Sequence, residues 1–379
     1  MRVLHLLSNY KWTGPSDPAV SLVASLLAEG VDVTLRSSGY LRRAPFNYLA
    51  VKARALGVEA ITDLHLGKHR SWLRNPADVR KLARILAQDS FALVHCHLDN
   101  DFRIARQAIR RLRGHRPLLV RTVYETDPEA IDARWVESLA EAQAVLAFSK
   151  RVQSRLLELG LPADRLHSLD PAIDLDRFSP HRPLADLRSE FGFRPDDFLV
   201  GIVARVQPQR RFDLLLDLAE QVSATCPRFR LLILGRGSQL ETVAREPARQ
   251  RGLLDRVVFF PGFFEGDRYV AALRMLDVKL FLVPGTDGTA RAVREALAMG
   301  LPVICTARGM LTELVRHGET GLVCEETPQA FAAAVCELER DPQRRSAMAS
   351  CARLDAEARF SPSEQARRVV SLYDRLVGG

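Results

Sequence analysis

Asp287 and Glu295 stand eight residues apart in the stretch PGTDGTARAVREALAMGLPVI, residues 284–304. Asp287 is followed by Gly288, two arginines lie between the acids, and an apolar helix and a Pro-led strand follow. A helix beginning near 289 has free N–H groups at its start that carry partial positive charge. Asp287 stands in front of that end, and Gly288 lets a ligand approach the backbone. At ~100° per residue the two acids are offset by only ~80° around the helix, so both can face one polar ligand. Carboxylates are acceptor-only and recognise hydroxyl pairs well. An amphipathic helix with an exposed Glu would show the same spacing, so the elements around it decide what it means.

Short apolar runs alternate with longer helical patterns along the whole chain. Strands are expected at 2–7, 31–36, 92–96, 118–123, 143–148 and 166–169, then at 198–204, 230–234, 256–260, 278–283, 302–305 and 321–324. The intervening helices make this the alternation of parallel sheets with crossover helices. It runs twice. The boundary falls in the Pro-rich, polar stretch 171–197, giving domains at 1–180 and 181–360. The segment 361–379 forms a last helix, expected to pack back on the first domain. Ser361, Pro362 and Glu364 there have the pattern of a capping box.

In open parallel sheets ligands bind beyond the carboxyl ends of the strands. After 198–204 come Arg205 and Arg210, whose guanidinium groups can hold a diphosphate by bidentate hydrogen bonds. After 230–234 comes Gly235-Arg236-Gly237, which lets N–H groups approach a phosphate or simply makes a tight turn. Hydroxyl-binding acids beside a diphosphate site suit a nucleotide sugar. His97 follows strand 92–96 as a further polar group. No metal is expected. His95-Cys96-His97 has no third ligand at metal spacing, and Asp174-Leu175-Asp176 sits in an interdomain turn.

With these residues in place, the chain resembles a retaining glycosyltransferase of the GT-B fold, family 4 type. GIVARVQPQRRFDLLLDL is similar to that group's Gly-Arg-Leu-x-Pro-x-Lys-Gly-x-Asp-x-Leu segment. LLILGRGSQLE, VVFFPGF, ALAMGLPVICT, TELVRHGETGLV and PAIDLDRFSP match their counterparts in order, and MRVLHLLS with TGPSDPAVSLVASLLAEGVDVTL matches the first strand, glycine loop and helix. The resemblance implies two Rossmann-like α/β domains facing across a cleft, the first on the acceptor side and the second binding the nucleotide sugar. It gives Arg205 and Arg210 the donor diphosphate, Asp287 the sugar hydroxyls and Glu295 the ribose. It brings backbone of Gly288, Thr289, Ala290 and Arg291 to the sugar or phosphate, Phe260 to Gly262 near the base, and Gly14 to the diphosphate.

Several positions depart from the family. Arg210 replaces a usual Lys, Asp287 a Glu, Thr289-Ala290 a Phe-Gly pair, and Thr13-Gly14-Pro15 a Gly-Gly pair. Tyr124 stands where such enzymes often carry a His that bonds the donor sugar. The implied reaction is metal-independent and needs no cofactor. It transfers a sugar from a nucleoside diphosphate, a UDP-sugar in preference to a GDP-sugar, to a glycan or lipid-linked acceptor in cell-envelope polysaccharide or lipopolysaccharide assembly. A non-catalytic nucleotide-sugar binder and a nucleotide-sugar epimerase on the same scaffold are the alternatives.

Composition sets outer bounds. The 379 residues are 47% hydrophobic and 26% charged, as in an ordinary globular protein. No run reaches the ~18–20 apolar residues of a membrane span, and MRVLHLLSNY lacks signal-peptide features. Six scattered cysteines without CxxC spacing suggest reduced thiols and a cytoplasmic setting. The net charge of +8 is concentrated in residues 36–84, where eleven Lys/Arg face three acids alongside Tyr40, Phe46, Tyr48 and Trp72. Such a segment suits an anionic membrane surface or phosphorylated acceptor. Nucleic acid, argued from charge alone, is not expected as a partner.

Overall fold

A computed structural model describes residues 1–41, 44–283 and 290–378. Its two compact units are Met1–Ala172 joined by the final helix, and a second unit beginning at Ile173 and ending at Phe360. The changeover precedes the expected residue 180 because residues 173–178 are fastened to the second unit. The N–H of Ile173 donates to the carbonyl of Phe360, and Arg353 donates to the carbonyl of Phe178 at 2.7 Å. Phe178 is buried and packs edge-on against Tyr269.

The first unit holds seven strands: β1 (Arg2–Leu7), β2 (Asp32–Ser38), β3 (Ala60–Leu64), β4 (Leu93–Cys96), β5 (Leu118–Val123), β6 (Ala144–Ala147) and β7 (Leu166–Ser168). They form one parallel sheet in the order β3-β2-β1-β4-β5-β6-β7. The strand β3 has no counterpart in the sequence reading. Its burial pattern is half open, as suits a strand at the sheet edge, so it lacks the continuous apolar run of a central parallel strand.

The second unit holds β8 (Phe198–Val203), β9 (Phe229–Leu234), β10 (Val258–Gly262), β11 (Val278–Phe281), β12 (Val303–Thr306) and β13 (Gly321–Cys324). Their order is β10-β9-β8-β11-β12-β13, again parallel. In both sheets the chain starts in the middle, winds to one edge and returns to the other side of its first strand. The topological switch point therefore lies between β1 and β4 in one unit and between β8 and β11 in the other. Those are the places where connecting loops part and leave room for a ligand.

Helices cover both faces, and the cores are sheet–helix layers. In the second unit Val200, Ile202, Leu231, Ile233, Val278 and Leu280 pack against Phe212, Leu215, Leu218 and Phe331 from the covering helices. Burial of each large side chain contributes about 1.5–3 kcal/mol.

The final helix, Pro362–Gly378, packs against helix Ser16–Ala28 and buries Val369, Leu372 and Tyr373. The capping box at its start is half made. Ser361 Oγ accepts the Glu364 N–H, while the Glu364 carboxylate turns to Arg367 and Arg368. The six cysteines are free thiols, of which Cys96, Cys226 and Cys305 are buried. Among the described residues no helix is long and apolar enough to cross a membrane.

Candidate functional site

At the switch point of the second unit, β8 ends at Val203 and the chain turns through Arg205 to Arg210. Arg205 is exposed and Arg210 half-buried. Arg210 Nη1 donates to the carbonyl of Val283 at 2.8 Å, which ties the β8 exit to the β11 exit. Burial and then the nearby charge of Arg205 both push the Arg210 pKa down. An anion near the two like charges would relieve their repulsion.

Gly235 and Gly237 have a packing reason to be glycine. A Cβ on either would collide with backbone, the carbonyl of Ala204 in one case and that of Val206 in the other. The loops after β8 and β9 thus lie against each other, with Val206 N–H donating to Arg236 at 3.0 Å. Gly235 N–H is itself committed to the carbonyl of Gly262 at 3.0 Å. Gly262 has a φ of 112°, which a side chain would resist. Phe260 packs against the core from the side, with Arg245 over its ring at 5.2 Å.

Glu295 lies in helix Arg291–Ala298 and is only 4% exposed. Its Oε1 accepts from Arg291 Nε at 2.8 Å and its Oε2 from the hydroxyl of Tyr269 at 2.5 Å. Tyr269 was not visible as a site residue from sequence, since nothing at 26 residues' distance marks it as a partner. Its hydroxyl pKa is raised well above the usual value, by burial first and then by the Glu295 charge. Ala290, just before this helix, is buried with a left-handed φ of 47°. Such a conformation costs a non-glycine residue about 1–2 kcal/mol. Asp287, Gly288 and Thr289 lie outside the described residues.

On the sheet side of this helix, Lys279 of β11 is fully buried, and its Nζ has no hydrogen-bond partner among the described residues. Burial pushes its pKa down to about 7, against the opposing pull of Glu295.

In the first unit the β1 and β4 exits are clamped by one buried carboxylate. Asp101 accepts from Ser8 N–H at 2.7 Å and from the N–H groups of His97 and Leu98 at 3.1 and 2.9 Å. Burial pushes its pKa up to about 7, with Arg121 and these N–H groups pulling the other way. Gly14 lies half-buried in the loop before helix Ser16–Ala28. Asn9 and Ser16 shape that loop: Asn9 Oδ1 accepts from Tyr10 and Lys11, and Ser16 Oγ donates to the Lys11 carbonyl.

Three imidazoles meet at this switch point. Parallel register places His5 beside His95, and His97 follows at the end of β4. The sequence reading expected no third ligand near His95 and His97. The structure corrects this, because His5 comes from a neighbouring strand rather than from nearby sequence. The nitrogens of His5, His95 and His97 lie within 4.8 Å of one another. Every ring nitrogen, however, already faces a protein group. Burial pushes the His5 pKa down to about 3 and lowers those of His95 and His97 well below the usual value, so all three rings are neutral. Tyr124, half-buried past the end of β5, accepts or donates a 2.7 Å hydrogen bond with His97 Nδ1 and packs on Phe148. The Asp174 carboxylate accepts the N–H of Arg177, as a turn residue does.

The basic segment 36–84 is less uniform than its composition suggests. Arg36 is buried and pairs with Asp63 at 2.5 Å, and Lys81 pairs with the same carboxylate at 3.2 Å. Arg42 and Arg43 lie outside the described residues. What remains outside is aromatic and cationic together. Trp72 and Leu73 are 78% and 89% exposed, Arg70 stacks on Trp72, and Phe46, Tyr48 and Lys52 are exposed nearby in sequence.

Comparison with known proteins agrees with this architecture. Residues 19–177 match the Glycosyltransferase Family 4 model, and residues 185–355 match that of Glycosyl transferases group 1. Over 219 residues the chain is 34% identical to a D-inositol 3-phosphate glycosyltransferase of Mycobacteroides abscessus, covering 56% of this chain and 47% of that protein. Over 218 residues it is 31% identical to a GDP-mannose-dependent alpha-(1-6)-phosphatidylinositol monomannoside mannosyltransferase of Mycolicibacterium smegmatis, covering 55% and 56%. The chain thus spans about half the length of the curated relatives it matches. Its fold is similar to that of Anabaena HepE, crystallised with UDP, at a TM-score of 0.80 and 18% identity over 99% of this chain and all of that one. It is also similar to the lipopolysaccharide outer core galactosyltransferase WaaB, at 0.72 and 16% over 99% and 100%. Two Rossmann-like parallel sheets, each with its switch point, and the two adjoining family matches lead to one conclusion: this chain is a member of the group 1/family 4 glycosyltransferases and has the GT-B fold.

Proposed function

We propose that the chain transfers a sugar from a nucleoside-diphosphate sugar to an acceptor hydroxyl with retention of anomeric configuration and without a metal. The observation that carries this is the second unit's switch point. It holds a coupled cation pair, Arg205 and Arg210, and a buried carboxylate, Glu295, set by Tyr269 and Arg291. The arginines meet the diphosphate and stabilise the charge that develops as it leaves. Glu295 accepts from the ribose hydroxyls, a role for which its acceptor-only oxygens are suited. The route is front-face: the acceptor hydroxyl enters on the side the diphosphate leaves, and a phosphate oxygen takes its proton.

We take a UDP-sugar as donor, a choice supported by the UDP bound to the structurally similar HepE. GDP-mannose is the second reading, favoured by the printed name of a relative at 31% identity. The acceptor is a phosphorylated or lipid-linked glycan precursor of the cell envelope. The relatives' inositol phosphate and phosphatidylinositol mannoside substrates support it, as does the exposed Arg70–Trp72–Leu73 surface, which suits an anionic bilayer.

Nucleotide release from UDP-glucose and from GDP-mannose, with and without D-inositol 3-phosphate, tests the proposal. Release that depends on the acceptor is expected. Binding of both nucleotides without any acceptor-dependent turnover would leave a binding protein instead. Flotation with anionic vesicles tests the surface: the wild type floats, and replacement of Trp72 and Leu73 by Ala abolishes flotation.

A further inference from the structure

Six side chains form an unbroken line of hydrogen bonds through the first unit. It runs from Thr122 Oγ1 to His95 Nε2 at 2.6 Å, from His95 Nδ1 to the Tyr373 hydroxyl at 2.5 Å, and from that hydroxyl to His5 Nε2 at 3.3 Å. It continues from His5 Nδ1 to His97 Nε2 at 2.9 Å and from His97 Nδ1 to the Tyr124 hydroxyl at 2.7 Å. His5, His95, His97 and Thr122 are 0% exposed, as is Tyr373, so water does not enter the line.

A neutral imidazole has one N–H and one bare nitrogen. Each ring here uses both nitrogens, so each must donate on one side and accept on the other. Tyr373, between two rings, keeps its own hydrogen engaged only if it also passes the sense along. The whole line therefore runs one way or the other. The two ends differ. Thr122 is sealed inside and has no second acceptor for its hydroxyl hydrogen among the described residues. Tyr124 is only half-buried and follows the last residue of β5. If the line ran inward from Tyr124, the Thr122 hydrogen would be stranded in the interior, a costly arrangement.

We infer that the line runs outward, from Thr122 through His95, Tyr373, His5 and His97, and that it presents Tyr124 as an obligate hydrogen-bond donor to an acceptor oxygen of bound substrate. The consequence for substrate rests on the function proposed above; the order of protons does not. Thr122, the histidines and Tyr373 are positioning residues. Tyr124 is the group that would meet a sugar hydroxyl or phosphate oxygen. A histidine in its place would offer the same donor. Tyr124 offers it from a phenol, whose ordinary pKa near 10 keeps it protonated at neutral pH.

Outward order has a signature: His5, His95 and His97 must all carry their proton on Nδ1, the less common form of a free imidazole. The test is long-range ¹H–¹⁵N correlation on protein labelled with ¹⁵N-histidine, assigned by single His→Gln variants. Three Nδ1–H tautomers are expected in the wild type. Thr122→Ser should retain them, and Thr122→Val should mix in Nε2–H forms. In turnover assays Tyr124→Phe and Thr122→Val should each lower kcat about tenfold with little change in KM, and Thr122→Ser should restore it. Nε2–H on any of the three rings, an unchanged pattern in Thr122→Val, or metal-shifted signals with stoichiometric zinc in the purified protein would overturn the inference. Correct tautomers with full activity in Tyr124→Phe would leave the proton order standing and sink the proposed substrate contact instead.

Discussion

Tyr269 donates its hydroxyl to Glu295 Oε2 at 2.5 Å, from a helix 26 residues earlier in the chain. Arg291 takes the other carboxylate oxygen. Glu295 is thereby fixed on both sides inside the second unit before any ligand arrives. Pre-set acceptors cost little to order on binding.

Replacing Glu295 with Gln should therefore remove donor binding while leaving the fold in place. The amide keeps the size of the side chain but offers one acceptor oxygen instead of two. Calorimetry with UDP should show at least about a hundredfold loss of affinity, the scale of a hydrogen-bonded charge left unmade. Wild-type affinity would remove Glu295 from the ribose.

Arg205→Ala should lower turnover by roughly two orders of magnitude, as loss of one preorganised charge-stabilising group does. Arg205 is exposed, so the melting temperature should hold. Initial-rate kinetics beside a melting curve separate the two effects.

Gly235→Ala should destabilise the second unit by a few kcal/mol, because its new methyl meets the Ala204 carbonyl, a backbone atom that cannot swing away. A chemical denaturation midpoint equal to wild type would show that the two loops can part freely.

Lys279 gives a prediction that depends on pH. Its folded pKa of about 7 lies below the ordinary value near 10.5, through burial. Between those values the unfolded chain binds the extra proton, so this group's penalty shrinks as pH rises from 7 and is gone above about 10.5. Below 7 the penalty is full. Lys279→Met should thus stabilise the protein by a few kcal/mol at pH 6 and by much less at pH 9.5. Melting temperatures at the two pH values check this; an equal gain at both would place the lysine in a wetter setting.

The strand–helix alternation was legible because parallel strands buried on both faces read as apolar runs. Residues 2–7 and 118–123 were placed to the residue for that reason. Edge strand β3 was lost because half of it faces solvent. Arg205, Arg210 and Glu295 could be singled out as candidates from local spacing. His5, Asp101, Tyr269 and Lys279 could not. Their significance comes from register and from helix packing across tens of residues, and a single chain of letters carries no record of which strands lie side by side.

Tyr373 arrives late. The first unit begins with residue 1, yet one of its buried hydroxyls belongs to a helix that starts at Pro362, after the whole second unit. As the polypeptide emerges from the ribosome, β1 to β7 can assemble early, but His5 and His95 must wait beside an unfilled slot until some two hundred further residues have been made. Until then that half of the protein is an unfinished interior, exposed to chaperones and proteases, and the last helix is the piece that closes it.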